Sequence, residues 1–159
     1  MAKQVLLNVF LGFMWMFLTT TYEPVAFVKG YIFGLLIIFV FRKFFDSRFY
    51  LYRVFSFIKL ALIFIKELIM ANIAVVKVVL KPKMDMTPGI FAYPTSLEKD
   101  WEITTLANLI TLTPGTMVID ISEDKKILFV HAIDIKDAKA EIDGIKESFE
   151  KAIMEVSRT

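Results

Sequence analysis

The 159-residue chain is 57% hydrophobic, carries a formal net charge of +2 and has a mean hydropathy of +0.61. Ordinary globular domains sit near about 45–50% apolar, so part of the excess is expected to face lipid. The lack of cysteine excludes disulfide scaffolds, zinc–cysteine sites and thiol nucleophiles, and a single histidine, His131, cannot build a histidine metal cluster.

The charge is divided. Residues 1–81 hold ten Lys/Arg against three acidic residues (Glu23, Asp46, Glu67), a net +7, whereas residues 82–159 hold nine against fourteen, a net −5. A basic, apolar first half and an acidic, mixed second half point to modules in different solvents: 1–50, 51–81 and 82–159. The second half has no basic block interleaved with aromatics, which argues against a nucleic-acid partner.

From Gln4 to Tyr22 no side chain is ionised, and these 19 residues would reach about 28 Å as a helix, close to the thickness of a hydrocarbon core. A secretory signal peptide is the alternative. It is disfavoured because no small-x-small cleavage site follows and a second apolar run does. Glu23-Pro24 breaks the run, with Pro24 suited to a first helical turn. Val25–Phe41 is the second run, with Lys29 near its start able to snorkel to the interface. The short connection makes the two an antiparallel hairpin. Arg42, Lys43, Arg48 and Arg53 follow the second run, while the Thr20–Pro24 turn has no basic residue, so both ends of the hairpin are expected on the cytoplasmic side of the cell membrane.

Residues 51–81 read as one long helix. Lys59, Lys66, Lys77 and Lys81 fall within about 60° of one another at 100° per residue, on an otherwise apolar cylinder. That narrow stripe fits a helix lying along the interface, with the four lysines as anchors, or one packed on neighbouring membrane helices. A third span would put Lys66 and Glu67 at mid-membrane, at about 2.5–3.5 kcal/mol for the lysine, and leave the acidic domain outside. The non-crossing arrangement is preferred, with the carboxy-terminal domain cytoplasmic.

Lys81-Pro82-Lys83 ends that helix. Pro88, Gly89 and Pro94 bracket a weak strand, Ile90–Tyr93. Asp100 opens a helix whose Trp101, Ile103, Leu106, Leu109 and Ile110 share a broad face, ended near Leu112 by Pro114. Thr113-Pro114-Gly115-Thr116 has the Pro-Gly centre of a type II turn. Met117–Ile121 alternates as a strand, Glu123-Asp124-Lys125 turns, and Ile127–Ile133, apolar on both faces, reads as a central strand. Asp134 is placed to cap a last helix in which Ile142, Ile145, Phe149, Ile153 and Val156 step by three and four. The fold class is therefore an integral-membrane helical hairpin, a long amphipathic or membrane helix, and a small α+β domain: weak strand, helix, β-hairpin, helix. A core of this size is marginal and is expected to lean on a partner.

His131 faces Asp120 or Asp134 across the hairpin as the one conceivable general base of a small membrane hydrolase, but a lone strand histidine is more often structural. Without a nucleophile setting or a glycine-rich phosphate loop, no catalytic, cofactor-binding or metal residue is assigned. Glu23 and the Lys66/Glu67 pair are the only acidic positions near lipid, and the first run offers only Asn8, so the chain holds no ion path of its own. The turn Thr113, Pro114 and Gly115 is the candidate site. It joins a helix to a strand, and its sharper role is to order the domain for assembly or activity.

The run from Thr104 to Asp134, TTLANLITLTPGTMVIDISEDKKILFVHAID, resembles the signature region of the E subunits of multisubunit Mrp-type cation/proton antiporters, and Asn72-Ile73-Ala74-Val75 and the two apolar runs match in order and spacing. The resemblance covers essentially the whole chain. It implies a non-catalytic accessory subunit needing no cofactor, whose partners are the other hydrophobic subunits and the bilayer, in a complex exchanging cytoplasmic Na⁺ for external H⁺ in pH homeostasis and sodium tolerance. Related subunits of membrane-bound hydrogenases leave a redox-driven host open, and a stand-alone membrane-anchored adaptor is the third reading.

Overall fold

Two unbroken apolar runs separated by a proline produce the first two helices. The computed structural model describes residues 2–45, 49–82 and 86–158. Asp46, Arg48 and Lys83 lie outside the described residues. Helix α1 spans Ala2–Leu18 and α2 spans Pro24–Val40, with Pro24 in the first turn as its fixed φ favours. The first run ends at Leu18 rather than Tyr22 because the threonines leave the helix. Thr19 Oγ1 donates to Trp15 O (2.8 Å), Thr21 Oγ1 donates to Thr19 O (2.9 Å), and Thr20 takes φ +52° to close the turn. A single 3₁₀ turn, Arg42–Phe44, follows α2, and α3 then runs unbroken for 30 residues over Tyr50–Val79. Among the described residues no helix is long and apolar enough to cross a membrane: α1 and α2 have 17 residues each, and α3 is studded with Arg53, Lys59, Lys66, Glu67 and Lys77.

The chain divides into two compact units, one ending at Phe55 and one from Ser56 to Arg158. In the first, α1 and α2 pack antiparallel through small residues. Ala26, Gly30, Gly34 and Ile38, spaced by four, form the buried stripe of α2, and Gln4, Asn8 and Gly12 that of α1. The approach is too close for side chains: a Cβ on Gly34 would overlap Asn8 Oδ1, and one on Gly30 would overlap Trp15 Cβ and lie 2.9 Å from Gly12 O. Such small-residue seams let helices approach by van der Waals contact where a hydrophobic driving force is absent. Polar groups are buried in this unit (Gln4 1% exposed, Asn8 0%), while Leu6 (71%), Phe10, Phe17, Val25, Ile32 and Leu36 stand exposed on the outside. Tyr50 joins the buried polar groups. Its backbone N–H donates to Gln4 Oε1 (2.9 Å), Asn8 Nδ2 donates to its hydroxyl (2.9 Å), and the Tyr31 hydroxyl lies 2.9 Å from it.

In the second unit, β1 (Gly89–Pro94), β2 (Thr116–Ile121) and β3 (Ile127–Ala132) form an antiparallel sheet of order β1-β3-β2, so β3 is the central strand. One register row reads Ile90, His131 and Met117, and a bulge interrupts β2 between Val118 and Asp120. Helix α4 (Asp100–Leu112) and a carboxy-terminal helix cover one face. That last helix comprises α5 (Ala138–Ile145), a π turn over Lys146–Glu150 and α6 (Lys151–Arg158). The core gathers Phe91, Tyr93, Leu106, Ile110, Leu128, Val130, Phe149 and Ile153.

Three expectations need correction. β3 is central, yet only its Leu128, Val130 and Ala132 are buried, while Ile127, Phe129 and His131, alternating with them, are partly buried. Trp101, expected on the apolar face of α4, is exposed beside buried Ile103 and Leu106. The cap of the last helix is Asp137, whose side chain accepts from Lys139 N (2.9 Å) and Ala140 N (3.3 Å), because Asp134 already accepts from Thr87 N (3.2 Å).

Candidate functional site

The turn after α4 follows from two residues with fixed conformational preferences. Pro114 prevents α4 from continuing, and Gly115 takes φ +95°, as the third position of a type II turn requires. The carbonyls left without partners at the end of α4 are satisfied by the flanking threonines. Thr113 Oγ1 donates to Ile110 O (2.6 Å), Thr116 Oγ1 donates to the same oxygen (2.8 Å), and the two hydroxyls lie 3.1 Å apart. Thr116 N donates to Thr113 O (3.3 Å) and Ile133 N to Gly115 O (3.0 Å), which stitches the turn to β3. Thr113 is buried.

The outer side of this turn is one wall of a cavity of about 720 Å³. The opposite wall is the second half of α3, with Ala71, Ala74, Val75 and Val78, and the floor is Ile145 and Phe149. Lys77 and Lys81 line it as well, together with Glu67, Asp134, Lys136 and Glu141. The structure thus brings the turn together with two of the four stripe lysines. The other two are elsewhere: Lys59 pairs with Glu155 of α6 (2.6 Å) and Lys66 with Glu67 (3.5 Å). The Lys59–Glu155 pair is too exposed to contribute more than about 1 kcal/mol. Burial of the neighbouring Leu60, at about 1.5–3 kcal/mol, does more to hold α3 in this unit, with Ile63 and Phe64 packed beside it.

A family model described as "Na+/H+ ion antiporter subunit" matches residues 8–156. The chain is 60% identical to the E subunit of the Na(+)/H(+) antiporter of Bacillus subtilis (strain 168), over 99% of this chain and 100% of that one. It belongs to the Na⁺/H⁺ antiporter E-subunit family. It is also 47% identical to the corresponding Na(+)/H(+) antiporter protein of Alkalihalophilus pseudofirmus, over 99% of this chain and all of that one. Among solved structures it resembles a chain of the membrane-bound sulfane sulfur reductase, an archaeal respiratory membrane complex, with a TM-score of 0.58 and 31% identity over 98% of this chain and 99% of that one.

In this member of the E-subunit family, two buried carboxylates, Glu150 and Glu102, hold segments of the carboxy-terminal unit together. Glu150, only 2% exposed, is turned inward at the end of the π turn. It accepts from the Tyr93 hydroxyl (2.5 Å), Thr95 Oγ1 (3.0 Å), Ser96 N (3.1 Å) and Ser96 Oγ. Burial alone would raise its pKa, but hydrogen bonds from Ser96, Tyr93 and Thr95 outweigh that and hold it below the usual carboxylate range. The same contact acts in reverse on Tyr93, whose hydroxyl is pushed far up by burial and by the adjacent carboxylate. Glu102 repeats the device at the start of α4. It accepts from Glu98 N and Lys99 N (3.2 Å each); a hydrogen bond from the Ser157 hydroxyl, these two amides and the Lys99 side chain hold its pKa down against burial. A Glu three residues after the N-cap position, Lys99, was the available signal for Glu102. Nothing local marked Glu150.

The hydrolase reading of His131 loses its partners. Asp120 stands opposite Phe129 rather than His131, and Asp134 is engaged with Thr87 and, at 3.9 Å, with Lys136. Among the described residues no group of three or more His, Cys, Asp or Glu is placed to hold a metal ion.

Proposed function

We propose that this chain is a non-catalytic accessory subunit of a multisubunit Na⁺/proton antiporter, held among the other hydrophobic subunits by its helical hairpin. One observation carries the membrane part of this reading. The amino-terminal unit is inside out, with carboxamides and phenols buried at its centre and Leu6, Phe10, Phe17, Val25, Ile32 and Leu36 presented outward. In water such a surface is an aggregation liability, whereas in lipid it is the expected one. At 17 residues, about 26 Å, α1 and α2 sit at the short end of spanning lengths, and Lys3, Lys29, Arg42 and Lys43 near their ends make up the mismatch by snorkelling and local thinning. Between Lys3 and Glu23 no side chain titrates at neutral pH, so ions pass through other subunits. The turn at Thr113–Gly115 supports assembly, and Lys59, Lys66, Lys77 and Lys81 keep α3 at the cytoplasmic interface.

Single-cysteine variants at Ala2, Glu23 and Ser157, labelled from each side in intact cells, test the topology: Ala2 and Ser157 react only from the cytoplasm and Glu23 only from outside. Co-purification with several hydrophobic subunits, and no Na⁺/H⁺ exchange by the isolated chain in liposomes, are the matching biochemical results; exchange by the chain alone would end the reading.

A second reading is favoured by the respiratory neighbour, which has a chain of this fold in a redox complex. The same module would then serve a hydrogenase-like, redox-driven pump, and the neighbouring open reading frames separate the two hosts.

A further inference from the structure

The cavity behind the Thr113–Thr116 turn has an uneven distribution of charge. Lys77 of α3 and Lys81, two residues beyond its end, both line the cavity, and among the described residues neither side chain makes a hydrogen bond or an ion pair. Two of the three carboxylates on the same walls are already committed: Glu67 pairs with Lys66 (3.5 Å), and Asp134 with Thr87 N and Lys136. The third, Glu141, is exposed, and partial desolvation and then Asp134 and Asp137 raise its pKa. The cavity is also lined by apolar side chains, among them Ala74, Val75 and Val78 of α3 and Ile145 and Phe149 of the last helix. Elsewhere on α3, Ile69, Ile73 and Val76 are exposed apolar side chains that do not line the cavity.

We propose that this cavity binds an anionic phospholipid, with an acyl chain between α3 and the last helix and the phosphate between Lys77 and Lys81. The inference rests on the reading of α3 as an element at the membrane surface. Paired basic residues over an apolar cleft at that depth match the chemistry of a phosphate headgroup joined to a hydrocarbon tail. Lys59 and Lys66, on the same stripe but paired with Glu155 and Glu67, lie outside the cavity and serve as the internal control.

The test is native mass spectrometry of the full chain in mild detergent, titrated with dioleoylphosphatidylglycerol or dioleoylphosphatidylcholine. The wild type retains phosphatidylglycerol in preference. The K77Q/K81Q variant loses that affinity roughly thirtyfold, the equivalent of about 2 kcal/mol for two lysines at an anionic headgroup, with no change for phosphatidylcholine. K59Q/K66Q behaves as wild type, and Ala74→Trp, which fills the cleft, reduces both lipids. Helical circular dichroism verifies that each variant is folded. Equal retention by wild type and K77Q/K81Q, or an equal loss in K59Q/K66Q, overturns the site. Failure of the accessory-subunit reading would appear separately, as a wild-type chain that does not co-purify with membrane subunits.

Discussion

The Tyr93 hydroxyl donates to Glu150 Oε2 over 2.5 Å, and this bond ties the second-last residue of β1 to the π turn of the last helix. Four donors converge on that one carboxylate. Glu150→Gln places an amide N–H₂ among groups that need an acceptor, and Glu150→Ala leaves them all unpaired. The cost expected for the Ala variant is at least about 2 kcal/mol, read as a loss of roughly 10 °C in the thermal transition followed by tryptophan fluorescence. The pH dependence has two arms. Because the Glu150 pKa is depressed in the fold, its contribution is complete above the ordinary carboxyl value of about 4.3 and is lost as pH falls through the folded value. Because the Tyr93 pKa is raised, its contribution is complete below about pH 10 and is lost at higher pH. Tyr93→Phe flattens the alkaline arm and Glu150→Gln the acid arm; unchanged profiles in both would refute the assignment.

The hairpin gives a sharper test because the obstruction can be removed. Gly34→Ala drives a Cβ into Asn8 Oδ1, the tip of a side chain, whereas Gly30→Ala drives one into Trp15 Cβ, which is fixed to the backbone. Each single change costs about 1–3 kcal/mol by overpacking. Adding Asn8→Ala restores incorporation of Gly34→Ala into the membrane complex and leaves Gly30→Ala defective, as measured by co-purification of tagged chain.

At the turn, Gly115→Ala forces a side chain into φ +95° and against Ile133 at 3.3 Å. It should destabilise by about 1–2 kcal/mol. Thr113→Val keeps the shape and removes the hydroxyl bond to Ile110 O, costing about 1 kcal/mol, and Thr113→Ser recovers it. If the turn supports assembly, complex yield on gel filtration falls in step with these losses; a full yield from a destabilised Gly115→Ala chain would separate the turn from assembly.

Glu141 runs opposite to Glu150. Although the residue is exposed, partial desolvation and then Asp134 and Asp137 raise its pKa, so the fold favours the protonated form and loses stability as pH rises from about 4.3 through the folded value. Glu141→Gln removes that penalty, and the melting temperature at neutral pH should rise above wild type. A lower or unchanged value would show that the carboxylate is satisfied in the fold.

What the sequence conveyed was whatever short-range chemistry dictates. Pro24 opening α2, Pro114 and Gly115 ending α4, and β3 at the centre of the sheet were legible because proline, glycine and runs of β-branched residues constrain their own backbone. The cap of the last helix was not, since Asp134 and Asp137 are equally good locally and the choice falls to Thr87, an amide from a distant segment. Asn8 was noticed as a polar residue in an apolar run, but its partner Tyr50 lies 42 positions away and gave no sign of it. Glu150 was hidden for the same reason. Its neighbours Lys146, Glu147 and Lys151 are charged and exposed, while Glu150, at the end of the π turn, is buried.

The hydrogen bond from the Tyr50 amide to Gln4 Oε1 spans 46 positions of chain. A first-turn amide of α3 therefore finds its acceptor on α1, 46 positions earlier, not on its own neighbours. The opening turn of α3 can settle only once α1 is in place, so a fault in the first helix carries over into the start of the third.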